Sequence, residues 1–309
     1  MKYFIYSVLL KLSKKQQVFI YTLYQSIIMN TPLEKALENV RLEDHSQGIF
    51  AKVMLDISNG CINEVRATIE KSEAAVIFEA DKNGFSLLHA AVKANQIEIA
   101  LLLLERGAEV DAKTNGGTTP LHVAVDFNNV EMISILAKHG ANIDAQSKLG
   151  RTPLFVAVIK DQPSVAKMLI DLGANLNLRN GGERETALHR AIRYNELHMS
   201  EMLIKSGADV QVQDRFGFTS LGTIMRYKRS RILEMVIFNG IDINDPTPSG
   251  NLLINEIIER SYFQLIKIII RDKSTLLPKN NQGDTPIEFA LKIYSEKAAK
   301  QIMFRNFDI

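Results

Sequence analysis

The sequence predicts an all-α fold: a solenoid of stacked helix–turn–helix units whose connecting segments form β-hairpin tips along one edge. Three observations carry that expectation. First, His89, His122 and Phe155 recur 33 residues apart, and Gly107, Gly140 and Gly173 recur at the same interval. Second, one extra residue enters near Gly181–Glu183, after which the frame resumes with His189, Gly222 and Asn255 in one slot and Gly207 and Gly240 in the other. Third, the turn Thr119-Pro120-Leu121-His122 returns as Ser86-Leu87-Leu88-His89, Thr152-Pro153-Leu154-Phe155, Thr186-Ala187-Leu188-His189, Thr219-Ser220-Leu221-Gly222 and Thr285-Pro286-Ile287-Glu288. A fixed period of this length marks supersecondary units that bury their apolar faces only on their neighbours.

The spacing and the Thr-Pro-Leu-His turn resemble the ankyrin repeat family over about residues 49–305. The resemblance implies about eight units, counting degenerate caps. It also implies that His89, His122 and His189 steady their turns by hydrogen bonding to nearby backbone. Its further implication is a partner-binding concave face, made of hairpin tips and the exposed ends of the inner helices.

Taken in order, residues 1–48 form an N-terminal segment outside the repeat. Within 1–28, Tyr3–Leu12 and Val18–Met29 are apolar runs separated by Lys14, Lys15, Gln16 and Gln17. Each is well short of the ~20 residues that span a bilayer. Three readings stay open: translation starting at Met29, a peripheral membrane anchor, or a helix packed on the first unit. Residues 31–40 read as a short helix, with Thr31 as cap, Pro32 in the first turn and Leu33, Leu37 and Val40 on one face. Residues 49–80 read as a degenerate capping unit, with Asn59-Gly60 turning between its two helices. Regular units follow at 81–113, 114–146, 147–179, 180–213, 214–246 and 247–279, and 280–309 closes the array as a second cap.

Each slot has a physical reason. An early glycine (Gly84, Gly117, Gly150, Gly217, Gly250, Gly283) suits a turn with positive φ. The Thr hydroxyl caps the inner helix, and Pro fits its first turn. Asn95, Asn128, Asp161 and Asn195 end the inner helices, where a left-handed residue is needed and Asn or Asp is tolerated next best after Gly. Lys228 and Ser261 break that preference, so strain is expected there. Gly107, Gly140, Gly173, Gly207 and Gly240 end the outer helices, and Lys273 replaces that glycine in unit seven.

Composition and motifs argue against chemistry. The net charge of +2 gives no support to nucleic-acid binding. The single cysteine, Cys61, has no partner for an internal disulfide and fits a reducing compartment. No phosphate loop, nucleophile elbow, zinc-protease helix or paired-cysteine motif occurs. The three motif histidines belong to different units and do not converge as metal ligands must. The repeats use nearly the whole chain. The expectation is therefore a monomeric, non-enzymatic protein without cofactor or metal, acting as an interaction scaffold in the cytoplasm. Export into a host cell is the other localisation considered, because the Ile, Asn and Lys richness suggests an AT-rich genome.

Candidate binding residues follow from the implied concave face. The inner-helix ends present Lys160, Arg193-Tyr194, Arg226-Tyr227 and Arg260, and the tips present Arg215, Phe216 and Phe218. Arg and aromatic side chains are enriched at interface hot spots. The expectation is a basic, aromatic groove over units four to seven that takes an acidic peptide or protein surface. Lys228, Arg229 and Arg231 would add positive potential at its edge.

Overall fold

The computed structural model describes residues 48–71, 74–239, 282–284 and 292. Every regular element among them is helical, and no strand occurs there. The chain divides into two compact bodies, one ending at Glu109 and one starting at Val110. The expected N-terminal helix at 31–40, the apolar segment 1–28, unit seven and nearly all of the last cap lie outside the described residues, as do Gly240 and Arg260.

The first body begins with helix α1 (48–58) and α2 (Ile62–Lys71). Gly60 at φ +72° makes the turn between them. A short 3-10 helix, Ala74–Phe78, leads to the paired helices α3 (Leu87–Lys93) and α4 (Ile97–Glu105). Helix α2 packs on the 3-10 helix and on α4.

Among the described residues the second body repeats one plan four times. Its inner helices are α5 (Pro120–Asp126), α7 (Pro153–Ile159), α9 (Ala187–Tyr194) and α11 (Ser220–Arg226). Its outer helices are α6 (Val130–Lys138), α8 (Pro163–Asp171), α10 (Leu197–Lys205) and α12 (Ser230–Phe238). Each inner helix packs on its own outer helix and on the next inner helix. Leu121, Leu154, Leu188 and Leu221 occupy one inner-helix slot and are all fully buried, as are Leu136, Leu169 and Leu203 on the outer row. Truncating one such leucine to alanine costs ~2–5 kcal/mol.

The caps are the same throughout. Thr119, Thr152, Thr186 and Thr219 each accept a hydrogen bond from the backbone N–H three residues on. Both helix rows end in a paired backbone closure. In the outer row, Gly140 and Ala141 donate to Ala137 and Leu136. In the inner row, Asn128 and Asn129 donate to Val125 and Ala124. The residue making this closure is left-handed, and Asn95, Asn128, Asp161, Asn195 and Lys228 all take it at φ +50° to +64°.

The tips are single hydrogen-bonded turns rather than strands. Ser147 donates to Arg151, and Asp214 to Phe218, with the Asp214 carboxylate taking the N–H groups of Phe216 and Phe218 at 2.8 and 2.9 Å. Adjacent tips also bond to each other. The N–H groups of Lys148, Gly181 and Arg215 donate to the carbonyls of Gly116, Leu149 and Glu183. In the regular tip the residue that donates, Lys148, and the one that accepts, Leu149, are neighbours; in unit five Gly181 donates and Glu183 accepts. Gly182, exposed between them, absorbs the inserted residue, so the ladder runs through the insertion unbroken. The approach is close enough that a Cβ on Gly150 would lie 2.2 Å from the Gly181 nitrogen, which no side chain survives. The insertion also hides a further member of the early-glycine slot. Arg184 holds φ +53° where Gly117, Gly150 and Gly217 hold +67° to +79°.

A second ladder runs beneath the outer-helix caps. Asp111, Asp144 and Asn177 stand 33 apart, and their side-chain oxygens accept from the backbone N–H of Asn142, Asn175 and Asp209 in the following unit, at 2.8–3.1 Å.

Two outcomes follow. Left-handed backbone costs a non-glycine residue about 1–2 kcal/mol, and glycine returns part of that as unfolded-state entropy. Arg184→Gly should therefore stabilise by roughly 0.5–1 kcal/mol in urea denaturation. The second outcome concerns His122 and His189, whose pKa values burial depresses below the ordinary 6.5. Below that pH the unfolded chain binds protons that the folded chain does not, so stability falls as pH drops through it. Thermal midpoints should decline on acidification through this range, and less steeply in His122→Asn/His189→Asn.

Candidate functional site

The motif histidines are built into the unit boundaries. Thr119 N–H and the Thr119 hydroxyl both donate to His122 Nδ1, at 3.3 and 2.9 Å. Nδ1 is therefore unprotonated, and Nε2 carries the hydrogen that it donates to the carbonyl of Arg151 at 2.9 Å in the next unit. His189 does the same between Thr186 and the carbonyl of Phe218, at 3.1 Å. In the first body Ser86 and His89 form the same capping box. These rings are buried and committed to backbone. Among the described residues no group of His, Cys, Asp or Glu is arranged to hold a metal ion.

The inner-helix ends carry most of the expected basic face, and the structure sorts its cations by what they already hold. Lys160 lies 2.9 Å from the carboxylate of Asp126 on α5, one unit back. Arg193 donates from Nη1 to the buried Glu185 carboxylate and from Nε to the Tyr227 hydroxyl, both at 2.8 Å. Burial pushes the Glu185 carboxyl up, and the Arg193 charge pulls it back. Burial works against the Arg193 charge as well, but Glu185 and Tyr227 outweigh it and its pKa is raised. Arg193 thus clamps unit five to unit six. Arg215 stands 3.5 Å from Glu183. Arg229, expected at the groove edge, instead donates to the carbonyls of Ile192 and Arg193 and caps the end of α9.

Arg226 is different. No carboxylate pairs with it among the described residues, and it is exposed. Its guanidinium sits 5.1 Å from the Phe216 ring centre, 4.9 Å from Phe218 and 5.9 Å from Tyr227. Arg215 approaches the Phe216 ring too, at 5.1 Å. Phe216 is 49% exposed. Tyr194 is 57% exposed one unit back, with Arg190 stacked on its ring.

The cluster forms where unit six has glycine in place of a motif histidine. Gly222 occupies that slot, and a Cβ there would lie 3.0 Å from Phe218 Cδ1. Thr219 still accepts from the Gly222 N–H at 3.2 Å, but no ring returns the bond. The vacated space lets the Phe218 ring lie against α11 and beside Arg226. Its backbone is pinned from the other side by His189.

A second feature lies on units three and four of the same body. A groove of about 520 Å³ runs between the tips and inner helices, with Val123 and Val156 among its walls. Phe127 and Leu149 also line it and are 48% and 61% exposed. Neither was among the candidate binding residues expected from the sequence. Large apolar side chains at exposed inner-helix and tip slots were the available signal.

Paired antiparallel helices, glycine-closed caps and bonded turn tips define a helical repeat protein. Comparison with family models identifies the repeat: one model, ankyrin repeats (3 copies), matches residues 109–180 and 146–214, and a second, ankyrin repeats (many copies), matches 80–124. The chain is an ankyrin-repeat protein, of a class that generally serves as a protein–protein interaction module and is typically non-catalytic. A relative, the tyrosine-protein kinase HTK16 of Hydra vulgaris, is 27% identical over 109 residues, which cover 35% of this chain and 14% of the kinase. That match involves the repeats alone. No helix among the described residues is long and apolar enough to cross a membrane.

If Gly222 is what seats the Phe218 ring, Gly222→Ala should displace it and open the Arg226 cluster. The expected result is changed ring chemical shifts of Phe218 and Phe216 in NMR spectra, with the far-ultraviolet circular dichroism of the chain retained.

Proposed function

We propose that this chain is a binding scaffold whose partner presents an acidic surface or segment to units five and six, with Arg226 as the pivot. The carrying observation is the contrast among the cations. Lys160, Arg193 and Arg215 each have a carboxylate of their own, whereas Arg226, among the described residues, has aromatic rings around it and no carboxylate. A guanidinium lying among rings keeps its donors for a ligand, and its planar fork matches a carboxylate in two parallel hydrogen bonds. The rings exclude water from that bond and add contact area at little entropic cost. Phe216, Phe218 and Tyr227 supply this surround. Arg215 lies at its margin as an exchangeable pair, and Arg193 holds the two units in register beneath it. Lys228 and Arg231 steer an acidic partner during encounter.

The test is affinity capture by the full chain and by its Arg226→Glu variant, read by mass spectrometry. Circular dichroism serves as the control for folding. The expected result is loss of a discrete partner set at unchanged helicity, with capture by the unaltered chain weakening as salt is raised. An identical set captured by both chains would overturn the assignment of Arg226. Arg193→Glu is not an equivalent test, because it strands the buried Glu185 beside a second carboxylate.

A further inference from the structure

We infer that the ligand is an extended peptide bearing an apolar anchor and an acidic anchor at a set separation, the first seated in the Phe127–Leu149 groove and the second on Arg226. This deepens the reading above and rests on it. Phe127 and Tyr227 end α5 and α11 at equivalent slots, as Lys160 and Tyr194 do on α7 and α9. The four inner helices pack in sequence within one compact body, so these slots form a row. The groove at the start of the row is apolar in its walls, Val123, Phe127, Leu149 and Val156. Its rim carries Lys148 and Arg151, exposed and without a carboxylate partner among the described residues. An apolar side chain fits the walls, and acidic flanks fit the rim.

The row sets the distance. The groove lies between units three and four and Arg226 lies in unit six, about two and a half units further on. Packed helices stand about 8–10 Å apart, which puts roughly 20–25 Å between the anchors, and an extended chain covers that in about six to eight residues. Between the anchors the row offers the Lys160–Asp126 pair and the exposed Tyr194 ring, neither of which blocks an extended backbone. A folded acidic surface would bind the Arg226 cluster without regard to this interval. A short helical segment covers only about 1.5 Å per residue and would need more than twice as many residues.

The probe is a set of fluorescein-labelled peptides, each with one leucine and one Glu-Glu pair in a Gly/Ser background. The anchors are separated by about two, four, seven or twelve residues, with a scrambled control. Fluorescence anisotropy with the full chain should give its tightest binding near seven and about tenfold weaker binding at two. Arg226→Gln should abolish the preference for Glu-Glu over Gln-Gln and leave the leucine preference intact, and Leu149→Ala should do the reverse. Binding that depends on Arg226 but not on separation or on Leu149 overturns the two-anchor ligand and leaves the Arg226 site standing. Binding indifferent to Arg226 overturns both. Peptides that bind no better than the scrambled control overturn the extended ligand.

Discussion

A unit of 33 residues cannot satisfy its own boundary. At each junction, backbone N–H and C=O groups of the tips and caps point towards the next unit, and burial without a partner would cost about 1–3 kcal/mol for each. The structure answers with up to three parallel links at a junction. Tip N–H groups donate to tip carbonyls, His Nε2 donates to the following tip, and Asp or Asn side chains take N–H groups below the outer caps. The apolar rows supply most of the stabilisation, but they would tolerate sliding. The polar links fix one register, which is why the inserted residue at Gly181–Glu183 is expelled into a bulge rather than allowed to shift the stack.

That constraint also explains where the site sits. The motif histidine is absent from unit four, where the Phe155 ring fills the slot, and from unit six, where Gly222 leaves the slot without a side chain. Unit six keeps the Thr219 cap and the left-handed closure at Lys228, and it receives the His189 bond from unit five. Only its own histidine is missing, and the Gly222 that replaces it makes room for the Phe218 ring. Gly in a helix costs about 1 kcal/mol against Ala, so the substitution weakens α11 while creating the aromatic surround of Arg226.

Much of the architecture was legible from the sequence because its causes are local and periodic. The 33-residue interval, the Thr cap and the left-handed residues ending each inner helix could all be read residue by residue, including the strained Lys228. Arg184 was not legible in its glycine slot, since the insertion displaced the frame just before it. The Asp111, Asp144 and Asn177 ladder was visible as spacing, but its purpose depends on backbone from the next unit. For the site, the sequence marked Arg193 and Arg226 as equals because they fill the same slot. What separates them is Glu185, eight residues before Arg193 and aimed at it from the tip, with no counterpart for Arg226. Pairing of this kind is a property of side-chain direction, which spacing alone does not carry.

The two arginines are nevertheless connected. Tyr227 accepts from Arg193 through its hydroxyl and lies beside the Arg226 guanidinium with its ring face. A phenol held at its oxygen by a cation that is itself anchored on a buried carboxylate has little freedom to rotate. The ring that flanks Arg226 is therefore positioned before any ligand arrives, and binding there does not bear the entropic cost of ordering it. The paired, partly buried arginine supplies rigidity, and the exposed one, unpaired among the described residues, is the one proposed for recognition. Exchanging their environments would lose both, because a buried cation without Glu185 is destabilising and an exposed one already paired has less left to offer a ligand.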